Sequence, residues 1–173
     1  MSPLIINSRT EKEILKACLS NDRTAQRDLF NMYAGKMMAI SIRYTRHRLE
    51  AEDILQDAFI KVFSNLHSFK NEGSLEGWIR RIVVNTAIKN TYRKSFSQED
   101  IGLENIKEDS GDPNIISALS EEEIINLIAE LPDGYRIVFN LYAIEGYSHK
   151  EIAEMLDIDE ATSRSQLLKA RRK

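Results

Sequence analysis

The chain is poor in the residues that build covalent or metal-centred chemistry. Among its 173 residues there is one cysteine, Cys18, which excludes an intramolecular disulfide and any multi-cysteine zinc site. The three histidines, His47, His67 and His149, stand far apart without ligand spacing and read as surface or packing residues; Cys18 reads as a small apolar one. There is no phosphate-binding glycine loop, and no Cys/His or Ser/His/Asp set can be assembled. The expectation is a protein that is not an enzyme, with no catalytic residue, cofactor or metal. No apolar run is long enough for a membrane-crossing helix. The start, Met1-Ser2-Pro3-Leu4-Ile5-Ile6-Asn7, has neither the basic beginning nor the apolar stretch of a secretory signal. The cytoplasm is the expected compartment. Seven glycines and three prolines are too few for a turn-rich β protein and suit a helical one.

What is abundant is charge, and it is unevenly placed. The formal net charge is −3, but residues 1–94 carry 16 Lys+Arg against 10 Asp+Glu. Residues 95–120 carry one against six, and residues 121–173 carry 7 against 11. A basic N-terminal segment is thus separated from a C-terminal one by an acidic stretch, and this distribution says more about partners than the sum does. The stretch SFSQEDIGLENIKEDSGDPNIISALS holds Gly102, Gly111 and Pro113 and little periodicity, a linker composition.

Apolar residues recur at helical spacing on both sides of it. Thr10 with Glu13 forms a capping box ahead of Ile14, Leu15 and Cys18. A second helix, from about Thr24 to Arg46, shows Leu29, Tyr33, Met37 and Ile40. Ile54, Ala58, Val62 and Leu66 make a stripe on a third. Ser74 can cap a fourth, with Trp78, Ile82, Asn85 and Ile88 along one line. Four such helices imply a small bundle. Beyond the linker, Ser120 with Glu123 and Ser148 with Glu151 form two more capping boxes, and Pro132 suits a helix start that Gly146 can close. The expected fold is all-α: two small helical domains, 1–94 and 118–173, joined by an acidic flexible linker, 95–117.

The segments Ser148–Leu156, Asp157–Asp159 and Glu160–Lys173 have helix-turn-helix spacing. Ala153 must be small where the second helix crosses. Asp157 stands where a left-handed backbone favours glycine, a conformation that Asp tolerates. The second helix carries Arg164, Lys169, Arg171, Arg172 and Lys173 against Asp159 and Glu160. Ser163, Arg164, Ser165, Gln166 and Lys169 can face a major groove, where Arg reads guanine bidentately and Gln reads adenine.

The N-terminal segment has a different chemistry. In AEDILQDAFIKVF (Ala51–Phe63), Glu52, Asp53, Gln56 and Asp57 share one side, and Phe59 and Phe63 add more apolar bulk than a small bundle easily buries. An acidic and aromatic face suits a basic protein partner. The loop Phe69–Ser74 then leads into Trp78–Lys94, with five basic residues, no acidic one, and Trp78, Tyr92, Asn85 and Asn90 interleaved. Cations for phosphates with aromatic faces for unstacked bases are the chemistry of single-stranded nucleic acid, and the loop can hold a flipped base. Trp78 could equally be core, beside Ile82.

Together these motifs resemble the extracytoplasmic-function (ECF, group IV) RNA polymerase sigma factors. Residues of about 8–94 look like their domain 2 and 118–173 like their domain 4; the SRSQL run at Ser163–Leu167 suggests a Bacteroidetes-type member. The resemblance implies that Asp53, Gln56, Asp57 and Phe59 dock on the polymerase β′ clamp. It implies that Lys70, Asn71 and Ser74 capture a flipped base of the −10 element. Arg80, Arg81, Asn85, Asn90, Arg93 and Lys94 would hold the separated strand beside Trp78. Arg164, Ser165, Leu168 and Lys169, with Ser163, Gln166 and Arg171 on the same helix, would meet the −35 element as duplex. The implied partners are core RNA polymerase (β′ clamp and β flap), promoter DNA and an anti-sigma factor. The family carries further apolar helix past the basic cluster; a sequence stopping at Lys173 is either shortened or weakened in its last helix, and domain 4 stability and −35 affinity turn on which. The rival reading, a helix-turn-helix regulator acting without polymerase, shares the C-terminal motif but leaves Trp78–Lys94 and the acidic helix unexplained.

Overall fold

A computed structural model describes residues 9–97 and 120–173, with side chains described through Thr91 in the first span. The described residues are helices joined by short turns, without a strand. The N-terminal unit comprises α1 (Glu11–Leu19), α2 (Arg23–Tyr44), α3 (Arg48–Asn65), a 3-10 turn (Leu66–Ser68) and α4 (Leu75–Ser97). The C-terminal unit comprises α5 (Glu121–Glu130), α6 (Asp133–Phe139), a π turn (Asn140–Ile144), α7 (His149–Leu156) and α8 (Glu160–Arg171). The expected linker, 95–117, lies mostly outside the described residues; its first three residues continue α4.

The helix starts follow from the caps. The boxes of Thr10 with Glu13, Ser120 with Glu123 and Ser148 with Glu151 all close reciprocally. Each satisfies two backbone groups that a helix start leaves without partners. The hydrogen bonds that make the boxes also hold the three glutamate carboxyls below their ordinary range. Ser74 Oγ accepts from Gly77 N at 3.0 Å and so caps α4.

Leu29, Tyr33, Met37 and Ile40 of α2 meet Ile54, Ala58 and Val62 of α3 in the core. Cys18 is buried on α1, and burial pushes its thiol up to about 11. On α4 the buried line is Leu75, Ile79, Val83 and Ala87, not the expected Trp78, Ile82, Asn85 and Ile88. Only Ile88 of that set is buried. The reason is periodicity: α4 carries two apolar lines one position apart, and the one with the larger share of aliphatic residues packs on α2 and α3. The other stays at the edge of that packing, with Trp78 and Ile82 half-buried and Asn85 exposed.

The C-terminal unit is centred on Ile137, Val138, Leu141, Ile152, Leu156 and Leu167, continuous with the core of the N-terminal one. The seam between the units has a specific construction. An α-helix leaves its last carbonyls without intrahelical donors. At the end of α2, Asn140 Nδ2 donates to Arg43 O at 2.8 Å and Arg136 Nε donates to Tyr44 O at 3.3 Å. Arg136 is 2 % exposed. It also donates to Ala129 O at 3.1 Å, to Leu131 O at 2.8 Å and to Asp133. Its charge is therefore spread over three carbonyls and one carboxylate, which is what a buried guanidinium requires; burial lowers its pKa despite them.

Arg136→Ala takes the side-chain donor from Ala129 O and Leu131 O and leaves Tyr44 O with only the long bond from Thr91 Oγ1, at 3.4 Å. The expected loss is about 3 kcal/mol, read from urea unfolding of the full chain. A loss below about 1 kcal/mol would mean that water already serves the end of α2.

Candidate nucleic-acid interface

Three surfaces carry the residues singled out from the sequence. On the first, α7 and α8 form the helix-turn-helix. Asp157 ends α7 with φ 54° and ψ 49°, the left-handed turn inferred from the spacing, and Ala153 is buried at the crossing. The outward face of α8 presents Arg164, Ser165, Leu168, Lys169 and Arg171, all exposed; Leu168 is 51 % exposed although apolar. Arg164 pairs with Glu160 across one turn at 2.7 Å, a solvent-exposed contact that a phosphate or guanine can displace. Lys169 Nζ lies 5.9 Å from the Tyr135 ring centre.

Two residues expected on that face point elsewhere. Ser163 is fully buried, with its Oγ 2.9 Å from His149 Nδ1, and it spaces α8 from α7. Gln166 is half-buried, and its Oε1 is buried without a hydrogen-bond partner. The absent side chain at Gly134 leaves the room that the Gln166 amide fills. Residues 163 and 166 sit a turn apart on the inner side of the helix, so their polarity misdirected the reading.

The second surface is a cleft of 340 Å³ between α3 and α4. It is lined by Lys61, Asn65, Ser68, Trp78, Ile82, Asn85, Thr86 and Lys89. The half-buried apolar line of α4 is its floor. Trp78 leans on Phe69, ring centres 5.5 Å apart at 48°, which fixes the indole as a wall. Lys61 Nζ donates to Thr86 Oγ1 at 3.0 Å across the cleft. Of the residues expected to meet a single strand, Trp78 and Asn85 line the cleft and Arg81 is exposed on the same helix. Lys70, Asn71 and Ser74 are exposed on the loop that enters α4, where Asn71 (φ 56°) and Gly73 (φ 97°) turn the chain through left-handed conformations. The Ser74 hydroxyl is committed to capping. Asn90 donates to Asp57 Oδ2 at 3.1 Å. Arg80 is paired with Glu145 of the C-terminal unit at 2.6 Å. The side chains of Arg93 and Lys94 lie outside the described residues. Sequence reading missed Lys61, Asn65 and Ser68, because only the packing of α3 on α4 brings them to the basic helix.

The third surface is the outer face of α3. Asp53, Gln56 and Asp57 are exposed there. Phe59, expected among them, is 3 % exposed and packs edge-on against Phe30, ring centres 4.8 Å apart; the core had room for it. The apolar members of the face are instead Ile60, 65 % exposed, and Leu49, 74 % exposed. They stand four residues beyond Gln56 and four before Asp53, so helical spacing could have found them; side-chain size drew attention to Phe59.

Two family models match the chain, described as Sigma-70 region 2 over residues 29–95 and Sigma-70, region 4 over residues 121–173. The ECF RNA polymerase sigma-E factor of Escherichia coli (strain K12) is 31 % identical, over 94 % of this chain and 91 % of that protein. The chain belongs to the ECF-type RNA polymerase sigma factors. As a sigma factor it is a transcription initiation factor and not an enzyme. The ECF RNA polymerase sigma-E factor of Haemophilus influenzae is 26 % identical, over 94 % of this chain and 92 % of its own. The fold is also that of the sigma factor RpoE in its co-crystal structure with the anti-sigma factor NepR from Bartonella quintana, with a TM-score of 0.52, 19 % identity and coverage of 84 % and 91 % of the two chains. None of the helices among the described residues of this sigma factor is long and apolar enough to cross a membrane.

The helix-turn-helix of this sigma factor contains one titratable support. His149 stacks on Tyr142 at 4.4 Å and bonds Ser163; burial first, then the Arg164 charge, lower its pKa below 6.5. The fold therefore favours the neutral ring. Its contribution is complete above pH 6.5 and is lost as pH falls through the lower folded value. Urea unfolding between pH 8 and pH 5 should show wild type losing stability relative to His149→Phe below about 6.5; parallel curves would remove the assignment.

Proposed function

We propose that this chain directs promoter-specific initiation by binding core RNA polymerase and reading two promoter elements in different states. The observation that carries the proposal is the cleft between α3 and α4. It combines an indole wall, an amide at Asn85 and a cation at Lys89 on a basic helix, α4, with a second cation, Lys61, supplied by α3. Those groups fit bases already freed from the duplex, with stacking and phosphate contacts together. In this reading the −10 element enters the cleft as a single strand, with Lys70 and Asn71 beside its mouth. The −35 element meets α8 as duplex through Arg164, Ser165, Leu168, Lys169 and Arg171, with Leu168 placed for a thymine methyl.

The face of Leu49, Asp53, Gln56, Asp57 and Ile60 docks on the β′ clamp, carboxylates rimming an apolar centre, and the C-terminal unit reaches the β flap. Unpairing costs a few kcal/mol per base and is offset by the cleft. No covalent step is involved. Acting on polymerase places the chain in the cytoplasm, and a group IV, Bacteroidetes-type member regulated by an anti-sigma factor is the finer classification. A regulator without polymerase would use α8 alone and leave the cleft and the α3 face idle.

Run-off transcription with core polymerase on fragments of the source genome tests this. Protein-dependent starts sharing two upstream elements are the expected result. Trp78→Ala should reduce them by about 5- to 150-fold, the loss of about 1–3 kcal/mol of stacking. Arg164→Ala should relax the −35 preference by a similar factor. Duplex binding without any polymerase-dependent transcript would overturn the reading.

A further inference from the structure

The seam between the units holds an arrangement that stability alone does not require. Glu145 follows the π turn between α6 and α7 of the C-terminal unit, its N–H donating to Asn140 O at 2.9 Å. Its side chain is 5 % exposed and sits between two guanidinium groups of the N-terminal unit. Arg43 Nη2 of α2 donates to Oε1 at 3.2 Å, and Arg80 Nε of α4 donates to Oε2 at 2.6 Å. Two arginines converging on two oxygens of one anion is the geometry by which proteins hold a phosphodiester. Here the anion is a carboxylate supplied by the same chain.

The rest of the site is imperfectly satisfied. Arg43 Nε and Tyr44 Oη are buried at this seam with no hydrogen-bond partner, and both would gain water if the units parted. Buried polar groups without partners, Asn140 Oδ1 among them, oppose closure, whereas Arg136, the Asn140 Nδ2 bond and the apolar core shared by the units favour it. The seam thus has opposing terms of the kind that allow two states.

We infer that Arg43 and Arg80 form a phosphate-binding site for the backbone of single-stranded DNA, and that Glu145 occupies it as an internal competitor when the units are packed together. The inference rests on the single-strand reading above. It adds Arg43, which no motif singled out, to the strand-binding surface. It makes docking of the C-terminal unit and backbone binding at this site mutually exclusive. Arg80 stands two positions from the cleft residue Trp78 and so on the side of α4 turned away from the cleft; a strand in the cleft reaches the arginine pair by passing round the start of α4, once Glu145 leaves. A closed population of about nine in ten lowers apparent affinity about tenfold.

The test is binding of a fluorescent single-stranded DNA oligonucleotide to the full chain, with small-angle scattering on the same samples. Glu145→Gln should tighten binding by about tenfold and enlarge the radius of gyration. Adding Arg43→Gln to Glu145→Gln should remove most of that gain. If Glu145→Gln changes neither affinity nor size, the competitor is refuted. If it enlarges the chain without tightening binding, the arginine pair is not a strand site. If Arg43→Gln has no effect in the Glu145→Gln background, Arg43 is no part of it. Helix content by circular dichroism checks folding. Should Glu145→Gln fail to fold, Glu145→Asp keeps the charge but withdraws it by one methylene, and should give a smaller tightening; none would refute the inference. Run-off transcription by the wild-type chain with core polymerase judges the sigma reading separately, since it can succeed whatever Glu145 does.

Discussion

The end of α2 needs donors, and the position of half the molecule depends on how it gets them. Arg43 O and Tyr44 O are satisfied by Asn140 and Arg136, side chains almost a hundred residues away in sequence. A guanidinium buried to 2 % exposure is tolerable only with all its neighbours in place, so Arg136 fixes α5, α6 and the end of α2 relative to one another. The helix-turn-helix follows, since Leu141, Ile152 and Leu167 build on the α6 core. Arg43 joins this constraint to function: its carbonyl is capped by Asn140 while its side chain holds Glu145.

The second organising fact is that α4 has two usable faces. Leu75, Ile79, Val83 and Ala87 bind it into the bundle. Trp78 and Ile82, one position before Ile79 and Val83, are only half-buried and with Asn85 become the floor of a cleft. A helix with a single apolar stripe would have buried its tryptophan and offered only a charged back. On α8, too, burial of Ser163, Leu167 and Ala170 leaves Arg164, Ser165 and Leu168 on the outer side.

Local signals read well. Each capping box sits at the helix start its spacing implied, and the left-handed Asp157 and the three-residue turn after it were legible because both are matters of adjacent residues. Errors arose where a choice depended on a partner surface. Phe59 against Ile60 was a question of what α2 could accommodate; Phe30 accepted the ring. Ser163 and Gln166 looked like groove readers because polarity was taken for exposure, yet one bonds His149 and the other fills the space over Gly134.

The sequence by itself determined the helical class, the helix ends, the basic and acidic segments and the family, because these rest on composition, on spacing within a few residues and on motifs that survive without coordinates. Only the tertiary structure decided which line of α4 packs inward, that α3 supplies half the cleft, and that Glu145 lies between Arg43 and Arg80. Those pairings join residues 25 to 102 positions apart. A periodic pattern states that a face must be buried; what buries it depends on the shape and hydrogen-bonding needs of surfaces distant in the chain.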